Sequence, residues 1–190
     1  MVERALQVAI IIGSNRNGRV APAVGLWFTR LAEDHEGLRP EVIDLGSLDV
    51  PSVLGLPDAC EPLSAATAVL DRADGFVVLT PEYNHSFPGT LKNFIDLHDS
   101  QWRAKPVGFV SYGGRAGGQR AVEHLRQVFA ELHAMTIRET VSIHNPWGRF
   151  GADGHPDDPK ASGAAKAMLD QLVWWGRALR DARAVRPYGT

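Results

Sequence analysis

Three polar stretches carry the side chains best suited to chemistry, and each follows an apolar run: GSNRNGRVAP at 13–22, PEYNHSFPG at 81–89 and SYGGRAGGQ at 111–119. The first has the makings of an anion cradle. Gly13 lets the backbone turn sharply, Ser14 and Asn15 offer hydrogen bonds, Arg16 brings a charged fork, and the amides opening a following helix would point into the loop. Its guest would be a single phosphate monoester, because the loop has neither the Lys-Ser/Thr of a triphosphate site nor the glycine spacing of a dinucleotide fingerprint. Taken alone, the loop also reads as an ordinary polar turn at a strand–helix junction. The second stretch is stiffened by Pro81 and Pro88, and its Tyr83 and Asn84 offer a ring face and amide groups to a planar heterocycle. In the third, Gly113, Gly114, Gly117 and Gly118 let backbone approach a ring closely.

Such loops need elements to hold them. ALQVAIII (5–12) is a near-continuous apolar, β-branched run, as expected of a strand covered on both faces. Val20, Val24, Trp27, Phe28 and Leu31 recur at helical spacing. A second strand spans 39–45, where Pro40 suits an edge because it cannot donate to a ladder. A Pro-containing loop over 46–60 leads to a helix near 61–73. The third strand is 75–80, and Leu91, Phe94, Ile95 and His98 then share one helical face. The fourth is 106–111, followed by a helix with Val122, Leu125, Val128, Phe129 and Leu132 on its inner stripe. Residues 136–143 alternate, with Ile137, Val141 and Ile143 on one side, as a half-exposed edge strand would. A Gly/Pro/Asp-rich loop near 144–160 precedes a last helix through about Arg183. Five strands alternating with five helices predict a parallel sheet clothed on both faces, of order 2-1-3-4-5. That order gathers all three loops at the carboxyl ends of the strands, beside the switch point where ligands bind. A phosphate cradle next to two ring-sized loops suggests flavin mononucleotide.

Composition narrows the field. With 44% hydrophobic and 22% charged residues, the chain suits one compact domain over 1–190. A net charge of −2 makes no electrostatic case for nucleic acid or an anionic membrane. No apolar run approaches the ~20 residues of a membrane span, and MVERALQVAIIIGS reads poorly as a signal peptide. The single Cys60 forms neither an internal disulfide nor a CxxC pair, so a reducing, cytoplasmic setting fits. Asp153, His155, Asp157 and Asp158 lack metal-ligand spacing on a rigid element and read as a solvated loop. His85 reads as loop packing or solvent contact, and Trp174 and Trp175 as packing or interface residues. Arg115 is either solvated or a contact for the 2′-phosphate of NADPH.

The segments GSNRNGR, PEYNHSFPGTLKNFID and SYGGRAGGQRA, in this order over nearly the whole chain, resemble the NADPH-dependent FMN reductase family. The middle segment is highly specific; the outer two are individually weak. The resemblance implies an α/β flavodoxin-like three-layer sandwich, in a group that includes quinone, azo-dye and chromate reductases. It implies that Ser14 and Arg16 hold the FMN phosphate with Val20 at the helix start. Pro81, Glu82, Tyr83 and Asn84 would line the isoalloxazine and ribityl chain, and Ser111, Gly113 and Gly114 would close the other side. Many relatives carry a second Ser or Thr where this chain has Asn17-Gly18-Arg19, which leaves Arg19 either a substitute contact or a solvated cation. The implied reaction moves hydride from NADPH or NADH to the flavin and on to a small acceptor: a quinone, flavin, azo compound or metal oxyanion. The flavin does that chemistry, so no catalytic side chain is assigned.

The resemblance also implies a homodimer or homotetramer formed through helices flanking the flavin loops. Phe87, Phe94, Trp102 and Tyr112 cluster there in sequence and are expected to leave an exposed aromatic patch. Trp147 or Phe150, in the long 145–160 loop, is expected to wall a substrate pocket; a mobile surface loop is the competing reading. Other functions fit less well. A phosphatase of this topology needs a Cys where Ser14 stands. A flavodoxin-type electron carrier usually relies on strong acidity, and an FMN-bound regulatory module rests on fold alone.

Overall fold

A computed structural model of the chain describes residues 4–53, 61–151 and 154–189. Cys60 and Asp153 lie outside the described residues. Strand β1 (Leu6–Ile12) runs parallel between β2 (Leu38–Asp44) and β3 (Gly75–Pro81), and β4 (Pro106–Gly113) and β5 (Met135–His144) extend the sheet beyond β3. The order is β2-β1-β3-β4-β5, as the pattern predicts. Pro40, opposite Val8, lies on the edge strand β2, where a residue without an N–H is best tolerated. On the other edge, β5 buries Ile137, Val141 and Ile143 and turns their neighbours outward.

Alternation along the strands sends side chains to two separate cores. Val8, Ile10 and Ile12, with Val77, Leu79, Val110 and Tyr112, pack under α1 (Ala21–Glu33) and α5 (Pro159–Val185). Ala9 and Ile11, with Phe76, Val78, Val107 and Phe109, pack under α2 (Glu61–Arg72), α3 (Gly89–Asp96) and α4 (Gln119–Glu131). The result is three layers, and the β1–α1, β3–α3 and β4–α4 loops emerge together at one end.

The aromatic patch expected from sequence does not form. Phe94 and Trp102 are 0% exposed and Tyr112 is 3% exposed within one subunit. Trp102 meets Phe76 and Phe129 edge-on, with centroids 4.7 and 5.4 Å apart, and its Nε1 donates to the carbonyls of Ile95 and His98. Phe87 is partly buried against the same core. Phe150 likewise packs on Trp27, 6.5 Å between centroids, rather than facing a substrate pocket.

Candidate functional site

The first loop leaves β1 through Gly13, whose N–H bonds the Leu79 carbonyl at 2.8 Å. A Cβ there would lie 2.9 Å from Leu91 Cδ2 and 3.1 Å from Leu79 O, so close packing of β1 on β3 and α3 favours glycine. Val20 occupies the N-cap of α1 without a side-chain cap, and the first turn carries no acid. Pro22 has no N–H and Ala23 N bonds the Val20 carbonyl at 3.0 Å, so the amide that this end offers an outside anion is that of Ala21. Ser14 is buried, with Oγ 2.9 Å from the Tyr83 hydroxyl, while Arg16 is exposed at the rim.

Arg19 is not a solvated cation: it lines the cavity and is tied into the protein. Its two Nη atoms bond the Asp44 carboxylate at 2.5 and 2.8 Å, and Nη1 also donates to the Ser14 carbonyl at 2.6 Å. The hydrogen bond to Asp44 is the main reason its pKa is raised. The residue braces the loop against the end of β2. Asp44, which no sequence motif singled out, anchors that brace and accepts from Gly46 N as well.

The second loop closes on itself. Tyr83 N donates to Ser86 O at 2.8 Å and Ser86 N to Tyr83 O at 3.0 Å, and both tip residues, Asn84 (φ 48°) and His85 (φ 76°), have positive φ. Asn84 thus sits exposed at a hairpin tip, outside the cavity it was expected to line. Glu82 points inward: Oε1 pairs with Arg120 Nη2 at 2.5 Å, and Oε2 is buried without a partner. His85 packs locally, its Nδ1 accepting from Arg120 Nη1 at 3.1 Å.

The third loop places two of its expected residues outside the cavity lining. Ser111 Oγ donates to Gly117 O at 2.9 Å, so this buried hydroxyl ties the loop to itself instead of facing a ligand. Gly114 also lies outside the cavity lining. Gly113 does line it, but a Cβ there would meet Gly118 N at 3.2 Å and Glu82 Cβ at 3.3 Å, inside the protein. The strictest glycine is Gly118, at φ +88°, where a Cβ would fall 2.6 Å from Ser111 Cβ and 2.7 Å from Tyr112 N.

Between the loops lies a cavity of about 410 Å³. Of the residues expected at a cofactor, Ser14, Arg16, Val20, Pro81, Glu82, Tyr83 and Gly113 line it; Asn84, Ser111 and Gly114 do not. The structure adds Asn17, Gly18, Arg19, Tyr112 and Trp147. The bland reading of the acidic loop stands for two of its members: Asp157 pairs with Arg149 and Asp158 caps α5. No group of three or more His, Cys, Asp or Glu among the described residues could hold a metal ion. Arg115 is exposed.

Comparison with known proteins finds relatives in sequence and in fold. The sequence model of the family described as NADPH-dependent FMN reductase matches residues 6–148. A protein of Oryza sativa subsp. japonica named probable NADPH:quinone oxidoreductase 2 is 32% identical over 187 residues, covering 89% of this chain and 88% of that one. A quinone reductase of Escherichia coli strain K12 is 36% identical over 143 residues, covering 70% of this chain and 74% of that one. Among solved structures, the flavoenzyme NAD(P)H:(acceptor) oxidoreductase FerB from Paracoccus denitrificans superposes with a TM-score of 0.75 at 24% identity, covering 92% of this chain and 98% of that one. That likeness shows the flavodoxin-like fold.

Proposed function

The chain belongs to the NADPH-dependent FMN reductase family, enzymes that use FMN with NAD(P)H, and on that premise we propose that it reduces a small acceptor, a quinone first of all, through FMN bound in this cavity. The observation that carries the reading is the polarity of the cavity. One end offers the Ala21 amide at the start of α1, where no side chain caps the helix, with Arg16 on the same cavity wall, as suits a phosphate monoester. The walls present two buried polar atoms without partners, Glu82 Oε2 and the Tyr112 hydroxyl, as a polar cofactor could satisfy. The residues present therefore fit FMN.

When bound, FMN supplies hydride acceptance from the nicotinamide and hydride donation to the acceptor. The chain binds and orients. Ser14, Arg16 and the Val20 turn would hold the phosphate, while Pro81, Glu82, Tyr83 and Gly113 would confine the rest. Arg120 fixes the Glu82 carboxylate, and Arg19 with Asp44 keeps the phosphate loop in shape before any ligand arrives. Trp147, 63% exposed at the cavity, would give a planar acceptor a surface to stack on.

The reading extends to a single FMN-binding domain acting in the cytoplasm as a homodimer or homotetramer. No described helix is long and apolar enough to cross a membrane. With Phe94, Trp102 and Tyr112 buried, the support for self-association shifts to Trp174 on α5, 63% exposed, and to Trp147. A monomer in light scattering at micromolar concentration would reject the oligomer. The central test is the released chromophore of the purified protein together with NAD(P)H oxidation in the presence of 1,4-benzoquinone. FMN and acceptor-dependent oxidation are expected. Bound FMN without NAD(P)H oxidation would reject the enzyme in favour of a carrier or regulatory module.

A further inference from the structure

Within the third matching segment the resemblance gives roles to Ser111, Gly113 and Gly114 and none to the phenol of Tyr112 between them. Tyr112 is almost wholly buried in β4, on the sheet face that carries α1 and α5, and it lines the cavity together with Ser14, Arg19 and Tyr83. Its hydroxyl is buried and has no hydrogen-bond partner. The polar groups nearest it are held in the protein's own network: Ser14 Oγ bonds Tyr83 OH, and Arg19 bonds Asp44 and the Ser14 carbonyl. Burial, and after it Tyr83, push the phenol's pKa above its ordinary value, while the nearby Ser14 hydroxyl and Arg19 pull the other way. The group is therefore a neutral O–H donor across physiological pH. A buried donor without an acceptor is rare in folded proteins, and each instance calls for a reason.

Resting on the FMN reading above, we propose that the Tyr112 hydroxyl is an FMN-binding group that donates to an oxygen of the ribityl-phosphate chain. Donor chemistry and position agree. The ribityl hydroxyls and the phosphate are the part of FMN richest in acceptors, and Tyr112 stands among the phosphate-loop residues rather than at the Glu82–Arg120 pair. The other unpartnered wall atom, Glu82 Oε2, is a carboxylate oxygen, an acceptor that cannot serve the same groups. In the free protein the phenol forfeits a hydrogen bond; in the complex it recovers one. It thereby adds affinity without any rearrangement of the chain.

The substitution Tyr112→Phe keeps the ring and its packing and removes only the hydroxyl. Two readouts on flavin-stripped protein test the proposal, neither of them activity. Titration with FMN, followed by quenching of flavin fluorescence, should give a Kd about 5- to 30-fold above that of the parent. Thermal unfolding of the variant without flavin should occur at or above the parent's midpoint, because an unsatisfied buried donor has been deleted. A loss that persists with riboflavin assigns the acceptor to the ribityl chain, and a loss confined to FMN assigns it to the phosphate. A folded variant that binds FMN as tightly as the parent overturns the inference alone. So does a destabilised variant with unchanged affinity, which would mark the phenol as structural. A parent that binds no FMN overturns the proposed function, and this inference with it.

Discussion

Lys105 stands at the foot of β4, at the end of the sheet away from the cavity, and only 8% of it is exposed. Its Nζ donates to the carbonyls of Leu70 and Asp71 at 3.0 and 3.3 Å, capping the last turn of α2, and lies 5.4 Å from the Phe76 ring centroid. These contacts do not replace the lost water. Burial lowers its pKa first and Arg183 adds to the shift; Asp71 and Asp74 pull back, leaving it at about 8 from an ordinary 10.5. At about 1.4 kcal/mol per pH unit, that difference amounts to about 3 kcal/mol between charged and neutral lysine. Between pH 8 and 10.5 the unfolded chain holds a proton here that the folded chain has released. The contribution of Lys105 to stability therefore rises with pH through that window, is complete above 10.5, and is lost as pH falls through 8. Lys105→Met keeps the apolar stem and removes the charge. Urea unfolding of both proteins from pH 7 to 11 should show the parent gaining up to about 3 kcal/mol relative to the variant, nearly all of it between pH 8 and 10.5. The two forfeited carbonyl bonds, roughly 1 kcal/mol each, set the offset between the curves and leave this trend in place. Parallel curves would refute the assignment of a buried, desolvated ammonium.

Other predictions concern the cavity. Arg16→Ala removes an exposed cation from its rim and should raise the FMN Kd roughly 10- to 100-fold in dilute buffer, less in high salt; FMN affinity equal to the parent's would remove Arg16 from the phosphate site. Gly118→Ala forces a Cβ to within 2.6 Å of Ser111 Cβ at φ +88° and should lower unfolding free energy by more than about 2 kcal/mol. A parental urea midpoint would show that the loop yields cheaply. Trp147→Ala should raise KM for a quinone while flavin content and stability stay within about 0.5 kcal/mol of the parent, as suits a residue 63% exposed. Unchanged quinone kinetics would return its loop to the role of surface cover.

What the sequence disclosed and what it hid divide along a physical line. The sheet was legible because its signals are local: β-branched runs mark the covered strands, and Pro40 and the alternating 136–143 segment mark the edges. Strand ends were less so, since the ladder runs on into Pro81 and Gly113, residue types that read as loop. The convergence of the three loops followed from strand order alone. Where the expectation failed, the deciding partner lay far off in the chain. Arg19 is claimed by Asp44, 25 residues on, and Trp102 is buried by Phe76 and Phe129 from other elements. Lys105 is desolvated beneath the end of α2, 35 residues earlier.

Two residues expected at the cofactor stand outside the cavity lining for a reason that was local in the sequence. Asn84 stands at a two-residue hairpin tip, where Asn is favoured because it tolerates positive φ, so its own residue type argued for the turn rather than the ligand. Ser111 and Tyr112 are consecutive in a strand, so their side chains must leave opposite faces of the sheet. Val110 and Tyr112 cannot share a face in such alternation unless Ser111 takes the other, and only one of those faces carries α1 and its phosphate loop. Ser111, a conventional hydrogen-bonding residue, is thereby turned toward Gly117, and the tyrosine beside it receives the cavity. Period-two geometry alone decides which of the two neighbours, serine or phenol, faces the cavity on the α1 side.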